Sequence, residues 1–236
     1  MGGRVTAIVF DLDGTLVDSA PDLRATLNLM LDQCGLPPLS LRQVVSMVGD
    51  GLRVLLDRAL DASGAAASPA ERGRLFERFR ALYTHAPVEH TRPYPGVGDM
   101  LAELRQRGYR LGVCTNKERG PAVAILRALE LDPFDAVVGG SCTPARKPEP
   151  APLLECLRRL DASPRHACMV GDSRNDILAA QRAGVRCIAV AHGYGGEAVA
   201  RLRADARIDG FAALPAALRR LDDRGSRADA DGPPAR

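Results

Sequence analysis

Lysine is almost missing from this chain: among 32 basic residues only Lys117 and Lys147 are lysine. Chemistry that requires an ammonium group therefore has two places to happen. The six cysteines, Cys34, Cys114, Cys142, Cys156, Cys168 and Cys187, include no C-x-x-C pair, which fits reduced core thiols better than a disulfide framework or a zinc site. The four histidines, His85, His90, His166 and His192, lack metal-ligand spacing. A net charge of +3 is too small and too evenly spread to argue for nucleic acid. No apolar run is long enough to span a bilayer. The start Met1-Gly2-Gly3-Arg4 leads straight into a strand and leaves no room for a secretory segment. The expectation is a cytoplasmic protein with neither membrane nor nucleic-acid partner, and with its oligomeric state left open.

At 236 residues and 46% hydrophobic, the chain can bury one good core and a smaller second one. Runs suited to buried parallel strands occur at Val5 to Phe10, Arg110 to Cys114, Ala136 to Val138, Ala167 to Val170 and Arg186 to Ala191. Helical patterns separate most of them, which predicts an α/β fold with a doubly wound, mostly parallel Rossmann-like sheet. Gly108 and Gly184 close helices, and Pro121 opens one. A short element near Arg207-Ile208 and a helix through Leu221 complete the pattern.

Between the first two strands, roughly 70 residues read as helices alone, too many for one crossover. Ser40-Leu41-Arg42-Gln43 and Ser68-Pro69-Ala70-Glu71 have the form of capping boxes. Leu23, Leu27, Met30 and Leu31 form one apolar stripe; Leu75, Phe76, Phe79, Leu82 and Tyr83 form another. The predicted division is a core of residues 1–17 plus 90–224, an all-helical cap at 18–89 and a polar tail at 225–236. An insert leaving just after Asp13 must sit over the carboxyl ends of the strands, where ligands bind in such sheets.

Asp11-Leu12-Asp13-Gly14-Thr15 follows the first strand directly. In extended backbone, side chains two apart share a side, so Asp11 and Asp13 fall in one small site whose repulsion calls for a cation. Mg2+ is the natural hard, oxygen-seeking choice. Gly14 lets the backbone approach a ligand closely. Thr115-Asn116 end the second strand, Lys147-Pro148 precede a helix, and Gly171-Asp172-Ser173-Arg174-Asn175-Asp176 follow the fourth strand. Singly, each patch also reads as a cap, a turn or a surface charge.

In combination and order, the four patches resemble the haloacid dehalogenase superfamily, from Val5 to about Leu221. The helical insert between the first and second motifs resembles the subgroup with a small helical cap. Asp11 to Leu23, Val48-Gly49-Asp50-Gly51, Thr115-Asn116-Lys117, Gly171 to Ile177 and His192-Gly193-Tyr194-Gly195 most resemble the phosphoglycolate phosphatase branch.

The resemblance implies that Asp11 attacks phosphorus to give an aspartyl phosphate, while Asp13 protonates the leaving oxygen and later deprotonates water. Magnesium is held by Asp11, Asp172 and the carbonyl of Asp13, with Asp176 as an outer partner. Thr115, Asn116 and Lys147, with the turn at Gly14, hold the phosphoryl group. The implied partner is a small phosphorylated metabolite, 2-phosphoglycolate. The alternatives are a sugar phosphate, N-acetylmuramate 6-phosphate, pyrophosphate, a phosphosugar mutase reaction or a phospho-signalling receiver. For specificity, the loop of Gly49 and Gly51 is expected to close over the substrate, and Arg53 or Arg58 to pair with its carboxylate.

Overall fold

The computed structural model describes residues 3–85, 88–131, 133–196, 199 and 201–230. Six strands form one parallel sheet: β1 (Ala7–Phe10), β4 (Arg110–Cys114), β5 (Ala136–Val138), β6 (Ala167–Gly171), β7 (Arg186–Val190) and β8 (Ala206–Ile208), in spatial order β5-β4-β1-β6-β7-β8. β1 lies in the middle, with Phe10 level with Val113 of β4 and Val170 of β6. All four of its side chains are buried. Ile8 and Phe10 enter one apolar cluster and Ala7 and Val9 another, the two-residue alternation of a strand covered on both faces.

Helices α5 (Val97–Gln106), α6 (Arg119–Ala128), α7 (Ala151–Arg159), α8 (Arg174–Ala183) and α9 (Leu214–Ala230) flank the sheet. Gly184 ends α8 at φ 66°, and Pro121 lies in the first turn of α6. From β1 the chain crosses to β4 on one side and later to β6 on the other. Their carboxyl ends therefore border one crevice.

Four helices fill the first connection: α1 (Ala20–Asp32), α2 (Leu41–Val45), α3 (Leu52–Ala62) and α4 (Pro69–His85). Ser40 and Gln43 form a reciprocal cap, as do Ser68 and Glu71. Leu23, Leu27, Met30, Leu31, Leu56, Leu60, Phe79 and Tyr83 belong to a third apolar cluster, to which both stripes contribute. Each such side chain contributes roughly 1.5–3 kcal/mol on burial.

Two features depart from the sequence expectation. The insert leaves and returns through a two-stranded antiparallel ribbon, β2 (Val17–Asp18) against β3 (Arg92–Pro93); strands of two residues have no periodicity to read. The last helix also runs to Ala230, past Gly225 where the tail was expected. One glycine costs a helix only about 1 kcal/mol, and the arginines and alanines around it are good helix formers. Residues 231–236 lie outside the described residues.

Candidate active site

Asp11 extends β1 by one position, its N–H donating to the Val170 carbonyl at 2.9 Å. The chain then turns, the Gly14 N–H donating to Val17 O at 2.8 Å. Gly14 has φ +83°, and a Cβ there would lie 2.5 Å from Asp172 Oδ2. Only glycine satisfies both conditions.

Two loops converge on Asp172, one after β1 and one after β7. The Thr15 hydroxyl donates to one oxygen and the Tyr194 N–H to the other, both at 2.7 Å. A Cβ on Gly193 would come within 2.2 Å of the Asp172 Cβ. Asp176 caps α8 with Ser173, whose N–H and hydroxyl donate to Oδ2 at 2.9 and 2.6 Å. Its other oxygen accepts from Lys147 Nζ at 2.6 Å. That ammonium also donates to Cys114 O at 2.6 Å and lies 3.0 Å from Asp11 Oδ1, which occupies all three of its N–H groups.

Asn116 holds the Lys147 backbone, accepting from its N–H and donating to its carbonyl, both at 2.9 Å. Its second amide proton goes to Gly49 O at 2.9 Å. The Thr115 hydroxyl accepts from the Lys117 N–H at 3.2 Å, which leaves its own proton to donate. Asp13 is turned toward Lys117, whose Nζ lies 2.9 and 3.0 Å from its two oxygens. The Ser19 hydroxyl also donates to Asp13.

Ligand oxygens of Asp11, Asp172 and Asp176 all lie within 4.8 Å of one another. Burial first, and then the charge of Asp176, hold the Asp11 carboxyl well above the ordinary carboxylate range, against the pull of Lys147. The same two causes push Asp172 up to about 6. Four carboxylates, Asp11, Asp13, Asp172 and Asp176, thus face two ammonium groups, Lys117 and Lys147. The surplus negative charge and the all-oxygen donor set fit a hard divalent cation.

The Val48 to Gly51 loop lies over Asp11 and Asp13, with a cavity on either side. The first encloses about 520 Å³, part of it open to solvent, between Asp11, Asp13, Thr115 and Lys117 and the apolar Leu23, Leu52 and Leu55. The second reaches Asp172, Asn175 and Arg58. Gly49 and Gly51 take φ +122° and +93°, which favours glycine at both. Asn175 donates to Gly49 O at 3.2 Å and to Asp50 Oδ1 at 2.7 Å. Arg53 pairs with Asp57 at 3.1 Å and lies over Phe76, and it lines neither cavity. Arg58 lines the second, engaged by Asp50 at 2.5 Å and by Met47 O at 3.0 Å.

Asp11, Asp13, Gly14, Thr115, Asn116, Lys147, Asp172 and Asp176 therefore meet at one crevice. Sequence reasoning gave no role to Lys117, Ser19, Asn175 or Tyr194. Of these only Lys117 left a signal, being one of two lysines and next to Thr115-Asn116.

The family model for haloacid dehalogenase-like hydrolases matches residues 8–190, and the chain belongs to that family. It is 42% identical over 211 residues to the phosphoglycolate phosphatase of Caulobacter vibrioides, covering 89% of each chain. To that of Rhodospirillum rubrum it is 45% identical over 214 residues, covering 88% of each. Among solved structures, one described as a predicted phosphoglycolate phosphatase from Haemophilus somnus matches with a TM-score of 0.83 at 34% identity, over 90% of this chain and 97% of that one. CbbY from Rhodobacter sphaeroides, in complex with phosphate, matches with a TM-score of 0.71 at 29% identity, over 92% of this chain and 100% of that one.

Proposed function

We propose that the protein is a magnesium-dependent phosphatase that hydrolyses 2-phosphoglycolate to glycolate and phosphate through an aspartyl phosphate on Asp11. Its class, a phosphoric monoester hydrolase, follows from the family and from relatives named phosphoglycolate phosphatase. The observation that carries the mechanism is the buried Asp11 carboxylate, 3.0 Å from Lys147 and grouped with Asp172 and Asp176.

Asp11 attacks phosphorus, and Lys147 favours its ionised form. Asp13 gives a proton to the leaving oxygen and takes one from the water that attacks the intermediate. The Thr115 hydroxyl donates to the phosphoryl group. Lys147 supplies positive charge beside it, and Asn116 fixes the Lys147 backbone. Gly14 shapes the turn beside the phosphoryl site: its missing Cβ lets Asp172 pack against it, and its N–H closes the turn on Val17. Asp11, Asp172 and the Asp13 carbonyl would hold magnesium, with Asp176 behind them; when bound, the ion supplies charge neutralisation. The cap at 18–89 acts as a lid on the core of 1–17 plus 90–224, with the Gly49-Gly51 loop at its contact. Arg53 and Arg58 are each paired with a neighbouring aspartate, Asp57 and Asp50, and of the two Arg58 lines a cavity at the site.

The test is steady-state turnover of 2-phosphoglycolate with Mg2+ and with EDTA, beside a sugar phosphate, N-acetylmuramate 6-phosphate and pyrophosphate. The reading requires Mg2+-dependent hydrolysis with 2-phosphoglycolate preferred. Equal or faster turnover of another ester overturns the substrate.

A further inference from the structure

Lys117 touches a reacting carboxylate, yet the hydrolysis described above gives it no task. Its side chain is 5% exposed, with Nζ 2.9 Å from Asp13 Oδ1 and 4.9 Å from the centroid of the Tyr83 ring. It is the one cationic side chain among the described residues lining the cavity above Asp11, whose other walls include Leu23, Leu52 and Leu55. Apolar walls lower the local dielectric beside the ammonium, which strengthens any charge pairing made there. Burying an ammonium group is costly without compensation. Asp13 is already oriented by the Ser19 hydroxyl, so orientation alone does not account for it.

We infer that Lys117 binds a negatively charged group on the leaving part of the substrate, a carboxylate one carbon from the ester oxygen, and so selects anionic over neutral small phosphate esters. This rests on the reading of Asp13 as proton donor to that oxygen. The leaving oxygen must lie within hydrogen-bond distance of Asp13, and Lys117 Nζ lies about one hydrogen-bond length beyond the same carboxylate. A group one carbon further along the leaving part is therefore within reach of the ammonium, which carries three donors for Asp13 and the substrate to share. Tyr83 belongs to α4, so the insert itself supplies the ring facing this ammonium, which couples selection to closure.

The experiment compares kcat/KM for 2-phosphoglycolate and for 2-hydroxyethyl phosphate, which has the same skeleton without the carboxylate. The wild-type protein, Lys117→Met and Lys117→Arg are assayed, with folding checked by circular dichroism. The ratio is expected to fall roughly 100-fold in Lys117→Met, chiefly through KM for the carboxylate ester, and to be largely kept in Lys117→Arg. Lys117→Gln, which keeps a donor toward Asp13 but no charge, is expected to lose the ratio likewise and serves if the methionine variant does not fold. Loss of Asp13 positioning would slow both esters together and leave the ratio unchanged, and that result overturns the inference alone. A wild-type enzyme with no preference between the two esters overturns both the inference and the proposed substrate.

Discussion

Replacing Lys147 by methionine removes the ammonium but keeps most of the stem. In the wild-type protein that group is 1% exposed and lies 3.0 Å from Asp11 and 2.6 Å from Asp176. At an effective dielectric near 20, each pairing is worth roughly 5.5–6.5 kcal/mol before desolvation. Breaking a buried pair by removing one partner typically costs roughly 3–5 kcal/mol net. Urea unfolding in EDTA at pH 7.5 should report a loss of that size. The sign of its pH dependence follows from proton uptake. Asp11, already held above the ordinary range by burial and by Asp176, is held higher still without the ammonium. The native variant then binds a proton that the unfolded chain does not, and its stability falls as pH rises, by up to about 1.4 kcal/mol per unit. The deficit should therefore shrink between pH 7.5 and pH 5.5. Adding Asp176→Asn should restore part of the loss, because it removes one of the two stranded carboxylates. A cost under about 1 kcal/mol, equal at both pH values, would refute the reasoning that Lys147 balances these charges.

Gly14→Ala forces a Cβ to within 2.5 Å of Asp172 Oδ2 at φ +83°; Mg2+ titrations of activity should show an apparent affinity weaker by roughly 10–100-fold, and an unchanged titration contradicts the tight approach. Asn175→Ala removes donors to Gly49 O and Asp50, at a cost of roughly 1–2 kcal/mol; hydrogen exchange at Val48 to Gly51 should quicken, and equal protection would deny the contact a latching role. The metal-free protein should lose stability as pH rises from about 4 to about 6, because the Asp172 carboxyl is pushed up to about 6 in the folded state and its native form keeps a proton that the unfolded chain has released. Asp172→Asn should flatten that slope and Mg2+ should offset it, both readable in thermal melts; identical slopes for variant and wild type would remove Asp172 as the cause.

The sheet was legible because five of its six parallel strands are short apolar runs, most of them between helical patterns; Asp11 and Thr115 follow two of those runs directly, and Asp172 comes one residue after a third. Lys147 was legible through scarcity. Asn175, Ser19 and Tyr194 were not, because their roles depend on partners far along the chain: Asn175 bonds Asp50, 125 residues away, and the Tyr194 hydroxyl accepts from the Ser19 N–H, 175 residues away. Only packing selects such pairs. Arg53 shows a competing local partner that the sequence also held. Its side-chain chemistry suits a carboxylate, but its own helix offers Asp57 one turn later, a local pairing that composition alone does not rank above a substrate.

The central claim is that Asp11 takes the phosphoryl group. Mixing enzyme, Mg2+ and 2-phosphoglycolate, quenching in acid and reducing with borohydride converts an aspartyl phosphate to homoserine, which peptide mass spectrometry locates. The account predicts homoserine at position 11, dependent on both Mg2+ and substrate. Homoserine at position 13 instead, or none in an enzyme that turns over under the same conditions, would contradict it.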